Sequence, residues 1–191
     1  HYMLKEIYKQ PKAIKDTLRG RLNVTKRIIR MSGMDDYINK FLSAKKITII
    51  ACGTSWHSAL VAEYMFEKIS KIPVEVEYAS EFRYRDPIIE KDDIIIAISQ
   101  SGETADTLAA IKLAKLKGAF IFGICNVVGS SIARESDSGS YTHAGPEIGV
   151  ASTKAFTTQM TVLYMMAVKL SKSKGIISEK SFQKYLLEIS N

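Results

Sequence analysis

Three uninterrupted runs of apolar, mostly β-branched residues constrain the fold of this chain more than any other feature of its sequence. They lie within residues 47–52, 93–99 and 119–126. Strands that are apolar on both faces are typical of parallel sheets covered by helices on each side. Segments with helical spacing separate the runs, the clearest being residues 105–117. This alternation predicts parallel βαβ units in an α/β fold, a three-layer α/β/α sandwich around a central, mainly parallel sheet.

The first part of the chain differs from the rest. Short helical patterns at residues 13–18, 23–29 and 35–42 predict an N-terminal helical arm over residues 1–45. The strand–helix alternation then predicts a ligand-binding domain over residues 46–191. Because the chain opens with a histidine rather than an initiator methionine, we expect it to be part of a longer protein.

The basic residues are concentrated near the N-terminus. Up to Lys46 the sequence has 12 lysines and arginines against 4 acidic residues, and the remainder has 15 against 16. The net charge of +7 therefore resides in the arm. Such an arm is compatible with nucleic-acid binding, or with a solvated surface that packs on a partner domain. It carries no nucleic-acid-binding motif and no regularly spaced aromatic residues, so we expect no nucleic-acid partner.

Composition argues against several other classes of protein. No segment approaches the roughly 20 apolar residues needed to cross a bilayer, so we expect no membrane partner. Cys52 and Cys125 lie in apolar runs and are interpreted as buried, reduced thiols, which suits a cytoplasmic protein. No cluster of His, Cys, Asp or Glu has metal-ligand spacing, and neither a G-x-G-x-x-G nor a Walker loop is present. We therefore predict neither a metal nor a nucleotide cofactor.

The most informative polar residues follow the second apolar run. Ligands of parallel sheets bind beyond the carboxyl ends of the strands, where helix N-termini attract anions. Ser99, Ser101 and Thr104 place three hydroxyls around the start of the next helix. Gln100 adds an amide that can address a sugar hydroxyl, and Gly102 permits close approach of the backbone. One N-cap needs one hydroxyl, so the cluster predicts a phosphate site, with simple helix capping as the alternative interpretation.

A second turn of the same kind, Gly53-Thr54-Ser55, follows the first apolar run. Neighbouring parallel strands end at the same edge of a sheet, so their turns lie side by side. We therefore expect Thr54 and Ser55 to join the hydroxyls of residues 99–104 around one phosphate ester.

A third polar loop, residues 145–154, leads into a long helix predicted over residues 153–170. Glu147 and His143 are the nearest candidates for acid–base catalysis. The alternative interpretations are a loop salt bridge for Glu147 and an exposed position for His143. Lys154 would oppose the positive end of the helix dipole, so we expect it to face solvent or to form a structural ion pair.

These loops resemble the sugar isomerase (SIS) domain family. The run Ser-Gln-Ser-Gly-Glu-Thr at residues 99–104 is specific to that superfamily. The resemblance covers nearly the whole chain and implies a flavodoxin-like, Rossmann-like sandwich. More narrowly, the chain is similar to the first of two SIS domains in the glutamine–fructose-6-phosphate aminotransferase family. The segments that carry the likeness are His1–Ile7, Cys52–Ser55, Ser80–Arg85, Ser99–Thr107 and Glu147–Thr157.

The resemblance implies that a sugar phosphate, fructose 6-phosphate or glucosamine 6-phosphate, is the ligand. In that family a glutaminase domain precedes the two SIS domains. The second SIS domain and a C-terminal tail supply the groups that open the sugar ring and move the proton. The resemblance thus implies that this chain belongs to a homodimeric cytoplasmic enzyme, binds substrate weakly, carries no catalytic residue of its own and is inactive alone. Glu147 remains a catalytic candidate only by its position in the loop. The substrate-binding residues implied are Thr54, Ser55, Ser99, Gln100, Ser101, Thr104, the backbone of Val150, and Ser152.

Two other functions remain open at this point. A stand-alone SIS domain that senses a phosphosugar for a regulator would place the basic arm against nucleic acid. A self-contained phosphosugar isomerase, assembled from identical subunits, would catalyse turnover without further domains.

Overall fold

The three apolar runs form neighbouring strands of one sheet. A computed structural model describes residues 1–149 and 151–190 of the chain. The strands are β1 (Leu22–Asn23), β2 (Ile28–Ile29), β3 (Ile47–Ala51), β4 (Val74–Tyr78), β5 (Ile94–Ser99), β6 (Phe120–Cys125) and β7 (Ser138–Tyr141). The helices are α1 (Tyr2–Tyr8), α2 (Gln10–Leu18), α3 (Ser32–Asp35), α4 (Ile38–Ser43), α5 (Gly53–Met65, continued by a π-helical turn, Phe66–Ser70), α6 (Ala79–Tyr84), α7 (Ala105–Leu116), α8 (Ser131–Glu135), α9 (Lys154–Ser173) and α10 (Glu179–Ser190).

Within those ranges the central sheet has five strands in the order β4-β3-β5-β6-β7, and each neighbouring pair is parallel. The register places Ala51 of β3 opposite Ile98 of β5, and Ser99 of β5 opposite Cys125 of β6. The predicted parallel sheet is therefore confirmed. Because the strands run in one direction and in this register, the turns after β3, β5 and β6 meet at one edge.

Helices cover both faces of the sheet. Side chains alternate along each strand, so Ile96 of β5 packs into one apolar cluster and its neighbour Ile95 into the other. The first cluster includes α2, α4, α5, α9 and α10, and the second includes α6, α7 and α8. This arrangement confirms the predicted three-layer α/β/α sandwich.

The N-terminal segment differs in detail from the prediction. Residues 23–29 do not form a helix, because β1 and β2 pair as an antiparallel hairpin with Leu22 opposite Ile29. Asn23 accepts the backbone N–H of Lys26 through its side-chain oxygen at 2.8 Å, and Arg27 adopts a positive φ of 53°. Side chains that bond to nearby backbone favour turns over helices, and that local chemistry outweighed the apolar spacing.

Part of the predicted arm is buried. Leu18, Met34 and Phe41 belong to the same apolar cluster as the sheet residues, and Met34 and Phe41 are fully buried. The arm therefore packs on the sheet through its apolar residues, while the division at residues 45 and 46 stays a prediction. Among the helices of the described ranges, none is long and apolar enough to cross a membrane.

Candidate functional site

The turn between β5 and α7 holds its hydroxyls close together. Ser99 is only 3% exposed, and its Oγ lies 2.9 Å from Oγ1 of Thr104. The backbone N–H of Gly102 donates to the same Ser99 oxygen at 3.0 Å, and the N–H of Glu103 donates to Ser101 Oγ at 3.2 Å. The turn is therefore shaped by its own side chains, with two of the three predicted hydroxyls in direct contact.

Thr104 is the N-cap residue of α7, yet its hydroxyl does not cap the helix within the described chain. The oxygen turns back toward Ser99 instead. The first N–H groups of a helix have no acceptor within the helix, and they carry a partial positive charge. Simple capping thus fails to explain Thr104, and the start of this 12-residue helix stays available to an anion.

The turn after β3 lies beside the first turn. Gly53 has a positive φ of 57°, which lets the chain turn sharply from β3 into α5. Thr54 is exposed, whereas Ser55 is only 6% exposed and accepts a hydrogen bond from Gln159 Nε2 at 3.0 Å. The structure therefore brings Thr54 to the surface of the same sheet edge but ties Ser55 to α9.

The third loop is organised by Glu147. Its carboxylate accepts the backbone N–H groups of Thr153 and Ala155 at 3.0 and 3.2 Å, and the hydroxyl of Ser152 at 3.0 Å. A carboxylate at the N-terminus of a helix is stabilised by these amides and by the helix dipole. Glu147 thus caps α9 rather than forming the loop salt bridge considered from sequence. The predicted sugar-lining residue Val150 lies outside the described residues.

The prediction for Lys154 is wrong. The residue is 4% exposed, and Nζ donates to the carbonyl oxygen of Pro146 at 2.5 Å. It therefore does not face solvent, and within the described ranges it forms no ion pair. The long side chain folds back over the loop that precedes α9, where a carbonyl oxygen satisfies the ammonium group.

His143 lines a surface cavity. The exposed His143 adopts a positive φ of 55° and lines a cavity of about 670 Å³ together with Asp16, Arg19 and Asn126. Burial, and then the charge of Arg21, lower the pKa of His143. Apart from His143, none of the predicted site residues that the structure describes lines this cavity. Asn126, which also lines the cavity, donates its backbone N–H to the carbonyl oxygen of Gln100 at 3.2 Å, so the cavity adjoins the β5–α7 turn.

Sequence reasoning missed two buried polar residues. Gln159 on α9 is 2% exposed; it donates to Ser55 and its Oε1 accepts the hydroxyl of Ser58 at 3.0 Å. A glutamine on the apolar side of a helix is a signal that sequence inspection can detect, because buried amides need partners. Glu6 on α1 is 5% exposed and contacts the third loop. Nothing local in the sequence marks Glu6, because its partners lie more than a hundred residues away.

The fold and the geometry of the turns are typical of three-layer α/β domains. In that class of protein, small ligands bind where the parallel strands end. The SIS domain family model matches residues 40–169, and the chain belongs to that family. In the part of the chain that is described, no group of three or more His, Cys, Asp or Glu residues is arranged to hold a metal ion.

Several relatives carry the same kind of domain. The chain is 58% identical over 191 residues to the glutamine–fructose-6-phosphate aminotransferase [isomerizing] of Bacteroides thetaiotaomicron, covering 100% of this chain and 31% of the relative. It is 59% identical over 180 residues to the enzyme of the same name from Chlorobaculum tepidum, covering 94% of this chain and 29% of that protein. The chain thus spans about a third of the length of these relatives.

The fold of one solved structure supports the same family assignment. The C-terminal domain of glucosamine-fructose-6-phosphate aminotransferase from Francisella tularensis superposes with a TM-score of 0.92 at 44% sequence identity. The match covers 100% of this chain and 53% of that chain. The similarity therefore extends over every element of the sandwich.

Proposed function

We propose that this chain binds a phosphorylated sugar, fructose 6-phosphate or glucosamine 6-phosphate, with the phosphate group at the start of α7. The observation that carries the proposal is the Ser99–Thr104 hydroxyl pair, 2.9 Å apart and directly before the helix N-terminus. The hydroxyls supply donors without a fixed charge, and the helix supplies free amides and a partial positive charge. A phosphate dianion uses both.

Four further residues complete the proposed phosphate contacts. Ser101 and Gln100 belong to the same turn, and the exposed Thr54 comes from the adjacent turn of the sheet edge. Ser55 accepts its bond from Gln159 and keeps a hydroxyl proton that it can donate. These positions support a cradle made of two neighbouring turns, without a metal or a lysine.

The sugar is proposed to extend toward the third loop, where the backbone of Val150 and the side chain of Ser152 would contact it. Ser152 donates its hydroxyl proton to Glu147 at 3.0 Å, and this bond orients the hydroxyl. Because Glu147 is engaged with four groups at the start of α9, we assign it a structural role and no catalytic one.

We propose further that the chain serves as the first SIS subdomain of a cytoplasmic enzyme that makes glucosamine 6-phosphate from fructose 6-phosphate and glutamine. The support is the identity of 58% to a relative of that name, of which this chain spans 31%. A second SIS subdomain, a glutaminase domain and a second copy of the chain would be its partners. The chain would then anchor and orient the substrate. Positioning of this kind accelerates a reaction even though the chain itself transfers no proton.

Calorimetric titration of the chain with fructose 6-phosphate, glucosamine 6-phosphate and fructose tests the proposal. We expect binding of both phosphate esters and none of fructose. The double variant Ser101→Ala/Thr104→Ala should abolish binding, whereas Thr25→Val, an exposed threonine of the β1–β2 turn, should leave it unchanged. Normal binding by the double variant would refute the phosphate assignment. Turnover by the chain alone would replace it with a self-contained isomerase.

A further inference from the structure

Glu6 is an acidic residue that is buried although it lies in α1, at the start of the basic N-terminal segment. Its side chain is 5% exposed, although α1 also carries exposed residues such as Tyr2, Leu4 and Tyr8. One carboxylate oxygen accepts the backbone N–H of Ile148 at 2.6 Å, and the other accepts the N–H of Gly149 at 3.1 Å. Burying a carboxylate is unfavourable unless donors satisfy it, and bonds to an ionised acceptor are about twice as strong as neutral ones.

The fit between Glu6 and the loop is close as well as polar. A Cβ placed on Gly149 would lie 2.6 Å from the Oε2 atom of Glu6 and 3.6 Å from the Cα of Met3. No side chain can therefore stand at position 149 while Glu6 keeps its contact. A side chain at position 149 would therefore displace the Glu6 carboxylate from the loop.

The same loop is held from its other side. Glu147 binds the backbone N–H groups of Thr153 and Ala155 and the hydroxyl of Ser152. Two carboxylates thus fix the backbone on either side of residue 150, Glu6 through residues 148 and 149 and Glu147 through residues 152 to 155.

We propose that Glu6 is a positioning residue for the sugar end of the ligand site: it fixes Ile148 and Gly149 in the loop whose Ser152 contacts the sugar. This inference rests on the proposed function, because it assumes that the loop lines the sugar. Glu6 touches no ligand itself. It acts through the amides of Ile148 and Gly149, which it occupies.

If Glu6 is a positioning residue, its loss should weaken binding of fructose 6-phosphate but not of inorganic phosphate. If its role is merely structural, both affinities should fall together. Inorganic phosphate needs only the turns at residues 53–55 and 99–104, while fructose 6-phosphate also needs the loop. We expect Glu6→Ala to weaken binding of fructose 6-phosphate about tenfold, a change that corresponds to two imperfectly ordered polar contacts, and to leave inorganic phosphate within about twofold. Glu6→Gln, which retains one carbonyl acceptor, should lie between Glu6→Ala and the unaltered chain.

Native-state hydrogen exchange supplies the independent readout. The amides of Ile148 and Gly149 should exchange faster in Glu6→Ala, while the amide of Gly102 keeps its protection. The matched control is Glu81→Gln, which removes one exposed acid from α6 and should alter neither the affinities nor the exchange. If Glu6→Ala does not fold, Gly149→Ala provides the second variant, because it displaces the Glu6 carboxylate without changing charge.

Three results would overturn the inference. They are an unchanged affinity of Glu6→Ala for fructose 6-phosphate, a parallel loss of affinity for phosphate and sugar phosphate, and unchanged exchange at residues 148 and 149. Failure of the proposed function looks different. In that case the unaltered chain binds neither phosphate nor fructose 6-phosphate, and hydrogen exchange alone decides whether Glu6 holds the loop.

Discussion

Gly102 and Ser130 are in such close contact that no side chain fits between them. A Cβ on Gly102 would lie 2.0 Å from the Oγ atom of Ser130, and the φ of Gly102 is +70°. The turn that carries the proposed phosphate site therefore rests directly on the segment that follows β6. The N–H of Ile132 also donates to the carbonyl oxygen of Gly102, at 2.9 Å.

Gly102→Ala should therefore be strongly destabilising. The left-handed backbone costs a non-glycine residue about 1–2 kcal/mol, and overpacking against Ser130 adds roughly 1–3 kcal/mol. We expect urea unfolding to show a loss of about 2–5 kcal/mol. Gly129→Ala separates the two effects, since Gly129 has a φ of +71° but open space around its Cβ position. A loss no larger than that of Gly129→Ala would contradict the close packing.

Ser99 and Thr104 should differ in what their hydroxyls do. Ser99→Ala removes the acceptor of the buried Gly102 N–H and should cost about 1–3 kcal/mol of stability. Thr104→Val leaves that bond in place and should cost less than about 1 kcal/mol, because among the described residues the Thr104 hydroxyl bonds only to Ser99. Both substitutions should weaken binding of fructose 6-phosphate by about tenfold or more. Chemical denaturation and calorimetric titration of the two variants measure the contrast, and equal stability losses would argue against it.

Glu147→Gln is expected to affect stability rather than chemistry. The substitution replaces a charged cap of α9 by a neutral one and should lower the free energy of unfolding by about 1–2 kcal/mol. Thermal unfolding at matched pH gives the value, with Glu90→Gln as an exposed control outside the loop. A stability equal to that of Glu90→Gln would show that Glu147 does not hold the helix.

Cys125 links stability to alkaline pH. Burial raises the pKa of its thiol from 9.0 to about 11, and the neighbouring Ser130 hydroxyl opposes part of that shift. Below pH 9 the thiol is mostly protonated in both the folded and the unfolded chain, so its contribution to the free energy of unfolding is fully present. Between pH 9 and about 11 the unfolded chain loses its proton first, so stability falls as pH rises, by at most roughly 2–3 kcal/mol.

The comparison that isolates this effect is between the unaltered chain and Cys125→Ala. Lysines and tyrosines titrate in the same range, but they are common to both proteins. We expect the unaltered chain to lose more stability than Cys125→Ala between about pH 8 and about pH 10.5, as measured by urea unfolding. Identical pH slopes for the two proteins would rule out a buried, protonated Cys125.

Sequence patterns predicted those features that depend on strand direction and local composition. The hydroxyls of Ser99 and Thr104 and the exposed Thr54 could be located because parallel strands end at one edge and their turns are short. The geometry within a turn was harder to predict, since Ser55 could equally face the edge or α9, and only the buried Gln159 decides that.

Three features escaped prediction, each for a different reason. Lys154 was expected to avoid the positive start of a helix, a local argument, yet a carbonyl oxygen of the preceding loop holds it in the interior. The hairpin of residues 22–29 has the apolar spacing of a helix, and turn chemistry at Asn23 overrides it. Glu6 gives no local signal, because its role depends on a loop that only the folded chain brings near.

The bond between Glu6 and Ile148 joins residues 142 positions apart. Closing so long a stretch of chain is entropically unfavourable and tends to occur after nearer contacts have formed. During synthesis α1 emerges well before its partner loop exists, so the Glu6 carboxylate stays hydrated until most of the sheet has assembled. The sugar end of the site would then be completed late in folding, and weakening this contact should speed unfolding while leaving the folding rate nearly unchanged.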